Sequence, residues 1–130
     1  MIVLDASAVL ELVLRTTTGA RVARRIGAPD ESLHAPHLID IEVAQVLRRY
    51  EATGTLSQAE AKQALADLSD LDINRYAHDP FLARIWKLRR NLTAYDACYV
   101  ALAEALDAPL LTCDARLSRS PGHRALIELP

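Results

Sequence analysis

The chain has 130 residues, 51% of them hydrophobic, and a formal net charge of -2. That is the common size of one domain with one core, so residues 1–130 are expected to fold as a single unit. No apolar run approaches the roughly 18 residues of a membrane span, and the apolar stretch Met1 to Leu14 lacks a cationic leader and is broken by Asp5 and Glu11, so a soluble cytoplasmic protein is expected. Thirteen of the fifteen cations are Arg, the better residue for forked phosphate contacts. The doublets Arg24-Arg25, Arg48-Arg49 and Arg89-Arg90 fall near helix ends, where the helix dipole already favours a cation. Cys98 and Cys113 sit in apolar runs without metal or redox spacing and read as buried thiols of a reducing compartment.

In chain order, Ile2 to Leu4 is a short β-favouring run, and Asp5 starts a helical pattern through Ala8, Val9, Leu12 and Val13. A second helix covers Gly19 to Ile26, ended by Gly27 to Pro29. Ser32 to Ala35 is a candidate strand. Pro36 opens a long helix to about Thr53, stopped by Gly54. Ser57 with Glu60 forms a capping box for the next helix, to about Leu71. A strand at Asp72 to Tyr76 precedes a helix capped by Asp79 and Pro80 and reaching Arg90, and Thr93 caps a further helix, Ala94 to Leu106. Leu110 to Cys113 and Ala125 to Leu129 are the last strands. Strands separated by helical stretches imply an α/β domain with a mainly parallel central sheet flanked by helices.

Four acids stand where packing alone rarely puts them. Asp5 and Asp114 follow strands, at the carboxyl ends where open α/β sheets bind ligands. Their plainer roles are a helix N-cap and an Asx-turn. Glu42 has Leu38, Ile39 and Val46 as its helical neighbours, so its carboxylate projects from an apolar stripe, whereas Asp40 lies elsewhere on the helix as an ordinary surface acid. Asp96 fits a T-x-x-D capping box with Thr93, yet opens a helix apolar on every side. Tyr95 and Tyr99 flank it, suited to the core, to a water or to a base. With no cation adjacent to any of the four in sequence, the missing charge points to Mg²⁺ or Mn²⁺.

Other chemistries lack their residues. His34, His37, His78 and His123 show no zinc-hydrolase spacing, and there is no Gly-rich phosphate loop, serine-hydrolase elbow or Walker lysine.

The opening I-V-L-D-A-S, the P-H-L-I-D-I-E-V-A-Q-V-L helix, the T-A-Y-D-A-C-Y-V-A-L-A segment and the L-L-T-C-D-A-R-L segment, in that order, resemble the PIN-domain nucleases, specifically the VapC toxins of toxin-antitoxin pairs. The resemblance spans nearly the whole chain. It implies that Asp5, Glu42, Asp96 and Asp114 form the catalytic acidic quartet, with Asp5, Asp96 and Asp114 as ligands of Mg²⁺ or Mn²⁺ and Ser7 and Thr112 as supporting hydroxyls. Arg116 and Ser118 stand where some relatives carry a further acid. It also implies endonucleolytic cleavage of cellular RNA (tRNA, rRNA or mRNA) that halts translation, a VapB-type antitoxin partner and a homodimer.

Two other classes compete. A phosphoacceptor receiver domain needs an acidic pair after its first strand and a late Lys, but Lys62 and Lys87 both precede the last two acids. A catalytically inactive PIN-like module that only binds RNA or protein has no use for four mutually repelling acids. Convergence of the acids carries a further expectation: Asp5→Asn and Asp114→Asn should match or exceed the unmodified chain in stability without metal.

Overall fold

The computed structural model describes residues 1–130, and every strand contact in its five-stranded sheet is parallel. The strands are β1 (Ile2–Leu4), β2 (Leu33–Pro36), β3 (Ile73–Tyr76), β4 (Leu110–Leu111) and β5 (Ile127–Glu128), in spatial order β3-β2-β1-β4-β5. The helices are α1 (Ala6–Val13), α2 (Thr17–Ile26), α3 (Leu38–Ala52), α4 (Gln58–Asp70), α5 (Leu82–Lys87), α6 (Ala94–Leu106) and α7 (Ala115–Arg119), with a 3-10 turn at Asp79–Phe81 leading into α5.

The expected α/β architecture is therefore present, and its topology places the site. From β1 the chain steps outward to β2 and β3, then returns to the other side of β1 for β4 and β5. Right-handed crossovers put α1 to α4 on one face and α5 to α7 on the other. The packing agrees: α1 lies against α2, α3 and α4, while α5 lies against α6. The order reverses between β1 and β4, and a crevice opens at the carboxyl ends of strands beside such a switch point. Leu4 pairs with Leu111 at that edge, and the Asp5 amide donates to the Leu111 carbonyl at 3.0 Å. Asp5 and Thr112 thus leave the sheet side by side.

All three residues of β1 are fully buried, as a central strand covered on both faces requires. Ala97 to Ala103 of α6 are buried throughout, which matches a segment without a polar face. Cys98 is buried there, while Cys113 is only partly covered, and both thiols are free. No helix is long and apolar enough to cross a membrane.

Several element boundaries differ from expectation, and at α2 and β4 side-chain bonds explain the shift. Thr16 caps α2, its hydroxyl accepting from the Gly19 amide at 2.9 Å, so the helix starts at Thr17 instead of Gly19. Pro36 does not open α3. It is the last residue of β2, opposite Tyr76, and the His37 amide donates to the Tyr76 carbonyl before the helix begins at Leu38. Asp79 and Pro80 lie inside the 3-10 turn, and α5 ends at Lys87, short of Arg90. The strand expected over Leu110 to Cys113 is cut to two residues because the Cys113 amide goes to the Ser7 hydroxyl and the Asp114 amide to the Thr112 hydroxyl. The Ser57–Glu60 capping box and the Thr93 cap form where the sequence puts them. Gly54, at φ 77°, follows the end of α3 in the left-handed conformation that glycine adopts without strain. In the Arg24-Arg25 doublet, Arg25 does more than face the helix dipole: it forks onto Glu128 at 2.7 Å and reaches Glu31 at 3.1 Å, tying α2 to β5.

The α1–α2 corner is a close backbone approach that requires its glycine. A Cβ on Gly19 would lie 2.0 Å from the Glu11 carbonyl oxygen and 2.6 Å from its carbon, both backbone atoms that cannot swing aside. In an isolated helix Gly→Ala stabilises by about 1 kcal/mol. Here the sign reverses: Gly19→Ala is expected to destabilise by about 1–3 kcal/mol as α2 is pushed off α1, lowering Tm by on the order of 5–10 °C. Thermal melts check it, and an unchanged or raised Tm would show that the corner relaxes freely.

Candidate active site

The first strand delivers Asp5 into the crevice with little freedom to move. Asp5 is 8% exposed and occupies the N-cap position of α1, yet its side chain caps nothing. Its Oδ2 instead accepts from the Ser7 hydroxyl at 2.9 Å and the Thr112 hydroxyl at 2.5 Å. Each hydroxyl has one proton to give and gives it to Asp5, while accepting a backbone amide in return: Cys113 on Ser7 at 3.0 Å and Asp114 on Thr112 at 3.1 Å. Thr112 is fully buried. The plain cap reading of Asp5 fails, and Oδ1 is left without a hydroxyl donor.

Glu42 projects from the second turn of α3 and is partly buried, as its apolar helical neighbours require. Its Oε1 accepts from the hydroxyl of Tyr99 at 2.6 Å. Tyr99 is 1% exposed, so this partner is fixed by packing. Burial pushes the Glu42 carboxyl above its ordinary 4.5, and the like charges of Asp5 and Asp96 push it further, against a smaller opposing effect of the Tyr99 bond. The same burial and bond push the Tyr99 phenol upward.

Asp96 lies in the first turn of α6. Its amide donates to the Thr93 hydroxyl at 3.1 Å, but the reciprocal half of the expected capping box does not form, which leaves the carboxylate to the crevice. Burial raises its pKa, with help from the charges of Asp5 and Asp114.

Asp114 differs from the other three. It caps α7, a helix that the sequence reading did not anticipate, through the Asx-type bond that its plainer reading foresaw, with Oδ1 accepting from the Arg116 amide at 2.9 Å. The Arg116 guanidinium forks onto it, Nε to Oδ1 at 3.2 Å and Nη2 to Oδ2 at 3.0 Å. This pair holds the Asp114 carboxyl below its usual range. The expectation of a cluster without any cation is thereby corrected. The stability expectation changes with it, because Asp114 loses an ion pair if neutralised, while Asn at position 5 keeps one oxygen for both hydroxyls and loses only the charge that strengthens their bonds. The strained acids are Glu42 and Asp96.

All four acids line one cleft of about 500 Å³, together with Ser7, Leu10, Leu38, Ile41, Gln45 and Tyr95. The carboxylates of Asp5, Glu42 and Asp114 take bonds from the protein, and no three His, Cys, Asp or Glu side chains are drawn together as a ready-made ion site. The donor chemistry nevertheless suits a hard cation: oxygen throughout, with three acids, Asp5, Glu42 and Asp96, that hold no ion pair. Asp40, as expected of an ordinary surface acid, pairs outside the cleft with Arg75 at 2.7 and 2.8 Å. Tyr95 is 61% exposed on the rim.

Sequence reasoning missed two partners. Tyr99 sits in a helix segment with no polar face, and Glu42 in an apolar stripe; each needs a partner, and pairing the two orphans was the available signal. Arg116, two residues beyond an acid already suspected of an Asx-turn, was within reach of it by the turn alone.

Residues 2–122 match the PIN domain family. Ribonuclease VapC12 of Mycobacterium tuberculosis is 45% identical over 129 residues, covering 99% of this chain and 98% of that protein. The crystal structure of PAE2754 from Pyrobaculum aerophilum superposes with a TM-score of 0.71 at 26% identity, covering 97% of this chain and 81% of that one. VapBC2 from Rickettsia felis, bound to a DNA fragment from their promoter, reaches the same TM-score at 13% identity over 99% of this chain and 98% of that one, a likeness of fold. With the acids gathered at the switch point of a parallel sheet and a match running almost end to end, this chain belongs to the PIN-domain family, among the VapC ribonucleases.

Proposed function

We propose that this protein is a divalent-metal-dependent endoribonuclease toxin that cuts cellular RNA (tRNA, rRNA or mRNA), inhibits translation and growth, and is neutralised by a VapB-type antitoxin. The observation that carries the reading is the single cleft lined by Asp5, Glu42, Asp96 and Asp114, in a chain similar over its length to proteins named VapC ribonucleases. A cytoplasmic homodimer belongs to the same reading.

Asp5, Asp96 and Asp114 would hold Mg²⁺ or Mn²⁺. Such an ion supplies a more acidic water and offsets the negative charge of the attacked phosphodiester. The remaining work falls to the chain itself. Ser7 and Thr112 fix Asp5 through Oδ2. Tyr99 fixes one oxygen of Glu42 and leaves the other to orient or deprotonate the attacking water, a role that a carboxylate with a raised pKa suits. Single-stranded loops are the natural targets, because their backbone reaches a cleft while their bases are free to stack on an exposed aromatic such as Tyr95.

Asp96→Asn keeps size and shape but removes a charge that a metal needs. It is expected to lower RNA cleavage by about 10²-fold or more with Tm within a few degrees of the unmodified chain, and to abolish growth arrest on expression. Cleavage is measured on structured RNA with Mg²⁺, Mn²⁺, Zn²⁺ or EDTA. Full activity in EDTA would sink the metal requirement; an Asn variant cutting at the original rate would make Asp96 a mere first-turn acid. A folded unmodified chain that cuts no RNA would leave the inactive binding module.

The raised pKa of Glu42 gives a test that needs no substrate. The native protein holds this proton to higher pH than the unfolded chain does, so native stability declines as pH rises from 4.5 through the raised value, and the full penalty applies above it. Glu42→Gln removes the penalty and keeps an oxygen for the Tyr99 hydroxyl. In EDTA it is expected to melt at or a few degrees above the unmodified chain at pH 7, the two curves converging near pH 4. A gap that favours the unmodified chain equally at both values would remove the repulsion argument.

A further inference from the structure

Arg116 is the one Lys or Arg among the residues that line the acidic cleft and the hollow beside it. Beside the main cleft lies a second hollow of about 270 Å³, lined in part by Asn91, Thr93, Asp96, Asp114, Arg116 and Ser120. It shares Asp96 and Asp114 with the main cleft, so these two acids border both hollows. Across the lining of both, Arg116 is the sole Lys or Arg. An RNA phosphate entering meets four carboxylates, and no other side chain of the lining carries the charge that would attract it.

The grip of Arg116 on Asp114 is easily released. Its side chain is 86% exposed, and exposed ion pairs contribute little to stability because water and salt screen them. The Arg116 amide bonds Asp114 Oδ1 independently of the guanidinium, so Asp114 keeps a partner and α7 keeps its cap when the side chain swings away. The fork that now spans the two Asp114 oxygens has the geometry that spans two non-bridging phosphate oxygens. Thr93, Ser120 and Asn91 add neutral hydroxyl and amide groups along the same wall.

We propose that Arg116 is the substrate-gripping cation of this cleft: its guanidinium, parked on Asp114 in the free protein, transfers to a backbone phosphate of single-stranded RNA lying next to the bond that is cut. The proposal rests on the nuclease reading of the cleft, but its test does not require cleavage.

The probe is a fluorescein-labelled single-stranded RNA oligonucleotide, followed by fluorescence anisotropy in EDTA over a series of salt concentrations. Full-length Asp96→Asn protein, expected to be silent in cleavage, is compared with the same protein carrying Arg116→Ala or Arg116→Lys. Arg116→Ala is expected to weaken binding about tenfold and to flatten the slope of log Kd against log salt by about 0.7, the value for one lost contact to a single strand. Arg116→Lys should keep the slope while losing part of the affinity, because the charge remains and the fork does not. In the otherwise unmodified enzyme with Mg²⁺, Arg116→Ala should raise KM about tenfold and change kcat little. Unchanged affinity and slope would overturn the proposal and leave Arg116 as a surface ion pair. So would a large drop in Tm for both variants with the slope unaltered, which would make the residue structural. Oligonucleotide binding that depends on Arg116 in a protein that never cuts RNA would fail the nuclease reading and spare the phosphate contact; no oligonucleotide binding by any variant would overturn the proposal and leave the nuclease reading to the cleavage assay.

Discussion

The bond from Thr112 to Asp5, 2.5 Å across the gap between β1 and β4, is the contact on which the site depends. Those strands emerge in register on either side of the topological reversal, and the bond from the Asp5 amide to the Leu111 carbonyl is the last backbone tie between their ends. Thr112 and Ser7 take over. Their hydroxyls donate to one carboxylate oxygen and accept amides from Cys113 and Asp114, so the chain after β4 is steered by side chains. That steering shortens β4, opens α7 and places Asp114 opposite Asp96. A carboxylate 8% exposed is tolerable only with such donors, and each donor in turn accepts one backbone amide.

Much of this was legible in the sequence, for reasons tied to particular residues. The buried strand Ile2 to Leu4, the Ser57–Glu60 box and the Thr93 cap of α6 are local signals, and local signals survive into the structure. The acids were legible because each broke a rule of its segment: Glu42 in an apolar stripe, Asp96 at the head of a buried helix, Asp5 and Asp114 after apolar strands. Their gathering in one cleft follows from the parallel topology, which brings strand ends and two helix starts to the same edge. What escaped was mainly relational or competitive. Pro36 is compatible with a first helical turn and with a strand end, and only its pairing with Tyr76 decides. The length of β4 was set by Ser7, more than a hundred residues away in the chain. The Glu42–Tyr99 bond joins α3 to α6 across 57 positions, a distance that no periodicity reports.

The four acids are not electrostatically equivalent, and the difference lies in how freely each partner moves. Asp5 holds hydroxyls anchored to backbone amides, and Glu42 holds a phenol buried at 1% exposure; neither partner has room to leave. Asp96 has its own amide on Thr93 and no comparable side-chain donor, so burial and two neighbouring charges raise its pKa. Asp114 alone holds an ion pair, with a guanidinium that is 86% exposed. The cleft is therefore rigid on one wall and adjustable on the other. Repulsion is concentrated on Glu42 and Asp96, which the folded core holds in place, and a cation of any origin that enters between them relieves a penalty the free protein carries. Because Asp114 is already compensated, an entering cation gains less from it than from Asp96, unless Arg116 has first moved away. The two events reinforce each other: an anion that draws Arg116 off Asp114 restores the negative charge that a cation in the cleft needs, and a cation in the cleft weakens the hold of Asp114 on Arg116. A phosphodiester and a divalent ion entering together satisfy both conditions, so each should bind more tightly in the presence of the other, by the same factor in either order.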